Sequence, residues 1–234
     1  MKKTILTLAI IAMSLPNIAQ TGGAAYQIGV RQIDLDQNRE FLNLSDAEYK
    51  TTEGTPYANK EFILGNIFRG EELVQKNVLL RYNIFSDEIE IKTSPDDVQY
   101  GAIIKSSNIM VKIFNDTYIM VPFEGSDAKG GYFKVVSTGK YFDLYKKSTV
   151  TYTPRTFPKT SYDRERPASF TQTDAYFLVS KDGKFVEMPD SKSKLLKVMK
   201  NKEDEIKAFM KTNRTNFKTE EDLIKLVKYY NNLL

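Results

Sequence analysis

From about residue 60 to residue 188, apolar side chains recur at every second position, in short runs rich in Val, Ile, Tyr and Phe. Turn residues separate the runs, and that alternation is the signature of successive β-strands. Ten or eleven strands fit the pattern, and no fixed-period repeat interrupts it. The clearest hairpin is AYFLVSKDGKFVEM, where Asp182-Gly183 matches the positive-φ pair of a type I′ turn. YFKVVSTGKYFDLY supplies a second, with Gly139 in a short bulged loop, and IMVKIFNDTYIMVPF a third, turning at Asn115-Asp116. In the third, Ile109, Val111, Ile113, Ile119, Val121 and Phe123 form one alternate set. The other set, Met110, Lys112, Phe114, Tyr118 and Met120, is also mostly apolar. A strand apolar on both faces calls for cover on both.

Past residue 189 the period changes from 2 to 3.6. Ser191 to Lys200 reads as a short helix, and KEDEIKAFMK as a second with Ile206, Phe209 and Met210 on one face. Thr219 ahead of Glu220, Glu221 and Asp222 resembles a capping-box start. Leu223, Leu226, Val227, Tyr230 and Leu234 then follow at spacings of three and four. These stripes nominate the C-terminal segment as the cover for the sheet, with lysines solvated on the opposite faces. The pattern therefore predicts a mainly β, α+β fold: an antiparallel meander of about ten strands, curved or folded into a sandwich, with C-terminal amphipathic helices packed on one face.

The first residues read differently. Lys2 and Lys3 precede an apolar run from Thr4 to Leu15, which Pro16 breaks before small residues follow, as in a secretory signal peptide. The run is too short for a bilayer span of about 20 residues. Cleavage is expected near Ala19, with Ala24 and Ala25 as alternatives, and the product is expected in the periplasm or outside the cell. The predicted organisation is a signal peptide over 1–19 and an N-terminal segment over 20–59, with an edge strand from Gln27 to Leu35 and a short helix. The meander spans 60–188 and the helical segment 189–234. Without the two leading lysines the net charge falls from +4 to +2. Residues 20–180 hold 19 basic and 21 acidic side chains, residues 181–234 hold 13 and 9, and no concentrated basic stripe points to nucleic acid.

Composition removes whole chemistries. With no His and no Cys, neither a Ser-His-Asp nor a Cys-His unit exists, and the usual zinc sites, disulfides and lipoprotein anchors are excluded. No cofactor-binding motif is present; Gly130-Gly131 lies inside a hairpin pattern with no helix start after it. The SKSK run from Ser191 sits on a charged helix with nothing to desolvate a lysine. DLDQN matches the first three ligand positions of a calcium loop, but Arg39 stands where Gly is needed and Ser45 where Glu belongs. Three N-x-S/T triplets begin at Asn43, Asn115 and Asn213 and carry no further signal. In RYNIFSDEIEIK, residues 81–92, Asp87, Glu88 and Glu90 crowd into four positions. Alternation places Ile89 and Ile91 inward and Glu88, Glu90 and Lys92 on the wet face of a strand, after a turn at Ser86-Asp87. Tyr141 and Tyr145 share a strand face that Tyr132 is expected to meet from its neighbour.

The one long stretch without periodicity is TPRTFPKTSYDRERPASFTQ. Aperiodic connections of that length are often functional or disordered; the stretch reads either as a mobile crossover or as a recognition loop, with Arg155, Phe157, Tyr162, Arg164 and Arg166 as its candidate binding residues. TPYANKEF, NVLLRYNIFSDEIEIK, the meander and EEDLIKLVKYYNNL together resemble secreted or periplasmic β-rich proteins of Bacteroidota of unknown function. The resemblance implies an envelope location and a β-rich fold, and carries over no catalytic residue. The leading expectation is a non-enzymatic envelope protein that binds a protein partner or assembly. Its rivals are a carrier holding an apolar small molecule between sheet and helices, and a hydrolase working with carboxylates alone.

Overall fold

The computed structural model describes residues 28–32, 46–123, 126–160, 162–189, 191–199 and 201–234. The strands are β1 (Val30–Gln32), β2 (Ile63–Arg69), β3 (Glu72–Asn83), β4 (Glu88–Lys92), β5 (Gly101–Ile103) and β6 (Ile109–Ile113). They continue as β7 (Asp116–Phe123), β8 (Ser126–Ser137), β9 (Phe142–Thr153), β10 (Ser169–Ser180) and β11 (Phe185–Glu187). A short helix, α1 (Asp46–Thr51), lies between β1 and β2; α2 (Lys192–Val198), α3 (Glu203–Asn213) and α4 (Glu220–Leu233) close the chain. All eleven strands form one antiparallel sheet in the order β1-β5-β4-β3-β2-β6-β7-β8-β9-β10-β11. The predicted mainly β, α+β architecture with helices following the meander is the one observed. Of the predicted N-terminal edge strand, Val30–Gln32 is present, paired with β5; Gln27 and residues 33–35 lie outside the described residues.

The sheet coils on itself until its two halves meet. Residues 53–58 staple them: Ala58 N donates to Tyr82 O, and Ile84 N to Pro56 O, at 3.0 and 2.8 Å. At the other end of this segment Glu53 N donates to Ala168 O, and Phe170 N to Glu53 O, at 2.9 and 2.8 Å. Gly54 sits between these bonds with φ 79°, and a Cβ there would collide with the Phe170 carbonyl. The enclosed core runs from Ile67, Leu80 and Ile89 through Tyr82, Tyr118 and Tyr132 to Val150 and Phe170. A second core lies under the helices, where Leu144 and Leu178 of the sheet meet Leu195, Ile206, Met210, Leu226 and Tyr230.

Two turn positions differ from expectation, for related reasons. In the β6–β7 hairpin Ile113 pairs with Asp116, so the turn residues are Phe114-Asn115 and the exposed Phe114 takes φ 52°. That one-residue displacement swaps the faces of β7. The buried set is Ile109, Val111, Ile113, Tyr118 and Met120, because a register slip of one exchanges inside and outside. The helices accordingly cover β8, β9 and β10, not the β6–β7 hairpin. In the β10–β11 hairpin only Gly183 is left-handed, at φ 82°, within a three-residue loop closed by Gly183 N to Ser180 O and Ser180 N to Lys184 O. This is a bulged loop and not the type I′ pair.

The last helix is fixed by polar contacts at both ends. Asn231 accepts from Tyr141 N and Phe142 N and donates to Phe142 O, at 2.9–3.0 Å. Thr219 is the N-cap residue, as its sequence position indicates, but its hydroxyl donates to Asn216 O and no capping box forms. Glu220 instead meets Lys146 Nζ at 2.7 Å, Lys134 Nζ at 3.7 Å and the Tyr176 hydroxyl at 3.2 Å. Burial works against its carboxylate, but the bond and charge of Lys146, joined by Lys134 and Tyr176, hold its pKa below the ordinary value of 4.5. A carboxyl depressed in the folded state contributes stability that is full above its unfolded pKa and is lost as pH falls through the folded one. Glu220→Gln should therefore cost ~0.5–1 kcal/mol at pH 7 and progressively less on acidification. Denaturant midpoints of both proteins across pH 3 to 7 measure it, and a difference that stays constant with pH would remove the linkage.

Candidate functional site

RYNIFSDEIEIK folds into the end of β3, a turn and β4, and its charged residues do three different things. Glu90 is fully buried, which corrects the placement of this carboxylate on a wet strand face. Its neighbour Ile89 is buried too, so β4 is covered on both sides at its centre. The cover is chemical as well as steric. Arg81 on β3 lies opposite Glu90 and binds it through Nε and Nη2 at 2.8 and 2.6 Å, while Asn83 Nδ2 donates to the second carboxylate oxygen at 3.0 Å. The guanidinium also lies 3.8 Å from the Tyr57 ring centroid, 4.3 Å from Phe62 and 5.3 Å from Tyr100. An aromatic box is therefore present but holds the chain's own cation. Burial raises the pKa of Glu90 against the opposing pull of Arg81.

Asp87 ends the turn with φ 55°, a conformation that Asp tolerates better than most residues. Its carboxylate accepts from the Tyr82 hydroxyl and Lys147 Nζ, both at 2.7 Å, from Lys105 Nζ at 3.0 Å, and from the backbone N of Tyr132 at 3.2–3.3 Å. The partners come from β3, the segment before β6, β8 and β9. The sheet explains why they converge. β8 and β9 pair at Lys134↔Lys146, Val135↔Tyr145 and Ser137↔Leu144, and no pair continues beyond Lys146. At that split Asp87 takes Tyr132 N, while Lys147 donates to Tyr132 O and Lys105 to Gly130 O, each at 3.0 Å. Gly131 leaves room for this wedge, since a Cβ would fall 2.5 Å from Lys147 Nζ and 3.0 Å from Asp87 Oδ2. Desolvation lowers the pKa of Lys147, with Asp87 pulling the other way. Tyr82 is pushed up by burial and by Asp87, so its hydroxyl remains a donor. A carboxylate engaged by a hydroxyl, two lysines and a backbone N–H of its own fold holds strands together.

The five residues singled out in the long connection lie together on one projection. Thr153 still pairs with Ser169, and beyond it Thr156 and Arg166 exchange both backbone bonds at 3.0 Å. The aperiodic stretch thus continues the β9–β10 hairpin through a single isolated bridge, Thr156–Arg166, and among the described residues no ladder pairing flanks that bridge. Alternation is invisible there because the extension is exposed on both faces, so nothing selects apolar residues at every second position. Asp163 orders the tip by accepting from Lys159 N, Thr160 N and the Thr160 hydroxyl at 3.0–3.2 Å. Arg155 pairs with Glu165 and lies 5.0 Å from the Phe157 ring centroid. Phe157 is 64% exposed and Tyr162 95%, with Arg164 and Arg166 exposed beside them. Residues 154–168 carry four basic and two acidic side chains.

The remaining motifs are placed apart. Tyr132 is buried against Tyr82 and does not join Tyr145; Phe133 takes that outer position, with Phe177 and Phe185. The adjacent residue was invisible as a partner because β8 reads as apolar on both faces. Asp34, Asp36 and Asn38 lie outside the described residues. Among the described residues no group of acidic side chains is arranged to hold a metal ion, and no helix is long and apolar enough to cross a membrane. A cleft of about 700 Å³ between β1, β3, β4 and β5 is lined by Gln75, Ile91, Asp97, Val98 and Tyr100 without converging charges. No protein-family model, no curated protein and no solved structure matches this chain, so its functional reading rests on its own residues.

Proposed function

We propose that the chain is an exported, non-enzymatic binding protein of the cell envelope that engages a protein partner through the hairpin extension 154–168. The observation that carries this reading is the exposure of Phe157 and Tyr162, two aromatic rings set among Arg155, Arg164 and Arg166 on an ordered projection. Tyr and Arg are the residues most enriched at the energetic centres of interfaces. Rings with few torsions bind at low entropic cost, and the basic excess selects an acidic surface. Export is supported by the leading Lys-Lys, apolar run and breaker. The carrier reading gains no support, because the coiled half of the sheet is filled by Tyr82, Tyr118 and Tyr132 with ring centroids 5.0–6.0 Å apart.

A photo-crosslinking residue placed at Tyr162 in the native cell tests the proposal. One discrete adduct with another envelope polypeptide is expected, reduced about tenfold or more by Arg164→Glu with Phe157→Ser, a loss of at least ~1.4 kcal/mol. The same probe at Lys207, exposed on α3, serves as the control. Equal adducts from both positions, or none from Tyr162, would remove the hairpin as the docking surface.

A further inference from the structure

The split between β8 and β9 leaves two strand edges, and they are treated differently. On β8, the backbone groups of residues 130–132 are occupied by Asp87, Lys105 and Lys147. Charged side chains turned onto an edge are a standard protection against unwanted strand pairing. On β9 no described strand pairs with residues 148–153 on the side away from β10. That edge reads Ser-Thr-Val-Thr-Tyr-Thr, with no charge, no Gly and no Pro until Pro154. Six uncharged residues, five of them of high β-propensity, are the composition that pairs most readily with another strand. Thr149, Thr151 and Thr153 are exposed on one face, while Val150 and Tyr152 pack on the core of the coiled half. Pro154 ends the edge, and the chain continues through the isolated Thr156–Arg166 bridge to Phe157 and Tyr162.

We infer that β9 is an acceptor edge for β-strand addition, and that its occupant is an extended, acidic segment of a partner polypeptide. Main-chain bonds to residues 148–153 supply affinity, as in other strand-addition complexes. The segment's acidic end then lies along Arg155, Arg164 and Arg166, which sets its direction and selects it from neutral strands by charge. The inference rests on the hairpin 154–168 being the docking surface and adds the form of the ligand, a strand and not a helix or a folded face.

Amide hydrogen exchange on the full chain tests it in two steps. In the unbound protein, the alternate amides of β9 that point away from β10 should exchange rapidly while their neighbours are protected; uniform protection along 148–153 overturns the free edge. Random decapeptides displayed for selection against the purified protein then provide the ligand. The expected winners alternate β-branched or aromatic residues with polar ones, carry acids at one end, and slow the β9 edge amides about tenfold or more. Thr149→Lys with Thr151→Lys, both at exposed positions, should abolish that protection while melting behaviour is retained. Selection of no binder, or protection confined to 157–165, overturns the inference; the latter leaves the hairpin reading intact. Protection of 148–153 that survives Phe157→Ser with Tyr162→Ser supports the acceptor edge and removes the hairpin's part.

Discussion

Glu90→Ala is expected to lower the unfolding free energy by about 3–5 kcal/mol, the range for breaking a buried ion pair from one side. The loss comes mainly from what remains. Arg81 keeps its charge and stays walled in by Tyr57, Phe62 and Tyr100, with the Lys60 carbonyl as its hydrogen-bond acceptor outside the pair among the described residues. Asn83 Nδ2, itself in a buried residue, also loses its acceptor. Burial raises the Glu90 pKa, which works against folding, while Glu90, against the desolvation of Arg81, raises the Arg81 pKa, which works for it. A buried ion pair is often close to neutral against a well-packed apolar replacement. Arg81→Met combined with Glu90→Leu should consequently lie within about 1–2 kcal/mol of the natural protein, far less than the sum of the single changes. Urea denaturation of the four proteins measures the cycle. Additive single effects, or a Glu90→Ala loss below about 1 kcal/mol, would show that water reaches this carboxylate and that it is not a buried partner.

The same twelve residues show how much of the molecule can be read from sequence. Strand periodicity located β4, and the helical stripes located α2, α3 and α4, because one face of each helix is buried and the other solvated. Glu90 escaped because alternation reports polarity, and polarity stands for exposure only when no partner is present. Arg81 lies nine positions upstream in sequence but directly opposite across the β3–β4 ladder. Phe114 escaped because turn statistics favour Asn at positive φ, whereas tertiary register put Ile113 opposite Asp116 and left the aromatic residue in the left-handed position. The candidate binding residues from Arg155 to Arg166 were legible as a group through composition alone; that they extend a hairpin follows from Thr156 and Arg166, whose pairing no local pattern encodes. Asp87 was legible as a turn residue. Its long-range partners, Lys105 and Lys147, depend on how far the sheet coils, which no local pattern sets.

Replacing Asp87 should have the second large effect, and the choice of substitution separates its causes. Asn tolerates the left-handed backbone that Asp87 adopts, so Asp87→Asn removes charge while keeping shape and turn. A loss of about 2–3 kcal/mol is expected, below the fully buried range because Asp87, Lys105 and Lys147 keep 20–23% of their side-chain surface. Asp87→Ala should cost about 1 kcal/mol more, the penalty of a left-handed alanine. Denaturant midpoints give these values, and amide exchange at Tyr132 gives their location, since that N–H has Asp87 as its acceptor. If Asp87→Asn leaves the Tyr132 amide protected, β8 is held by something other than this wedge. If protection is lost, β8 acquires an uncapped edge beside the one β9 already presents. The variant should then self-associate at concentrations where the natural protein is monodisperse, because two adjacent bare edges recruit strands without discrimination. The lysines and Asp87 confine strand addition to the uncharged edge of β9, and a single carboxylate maintains that asymmetry.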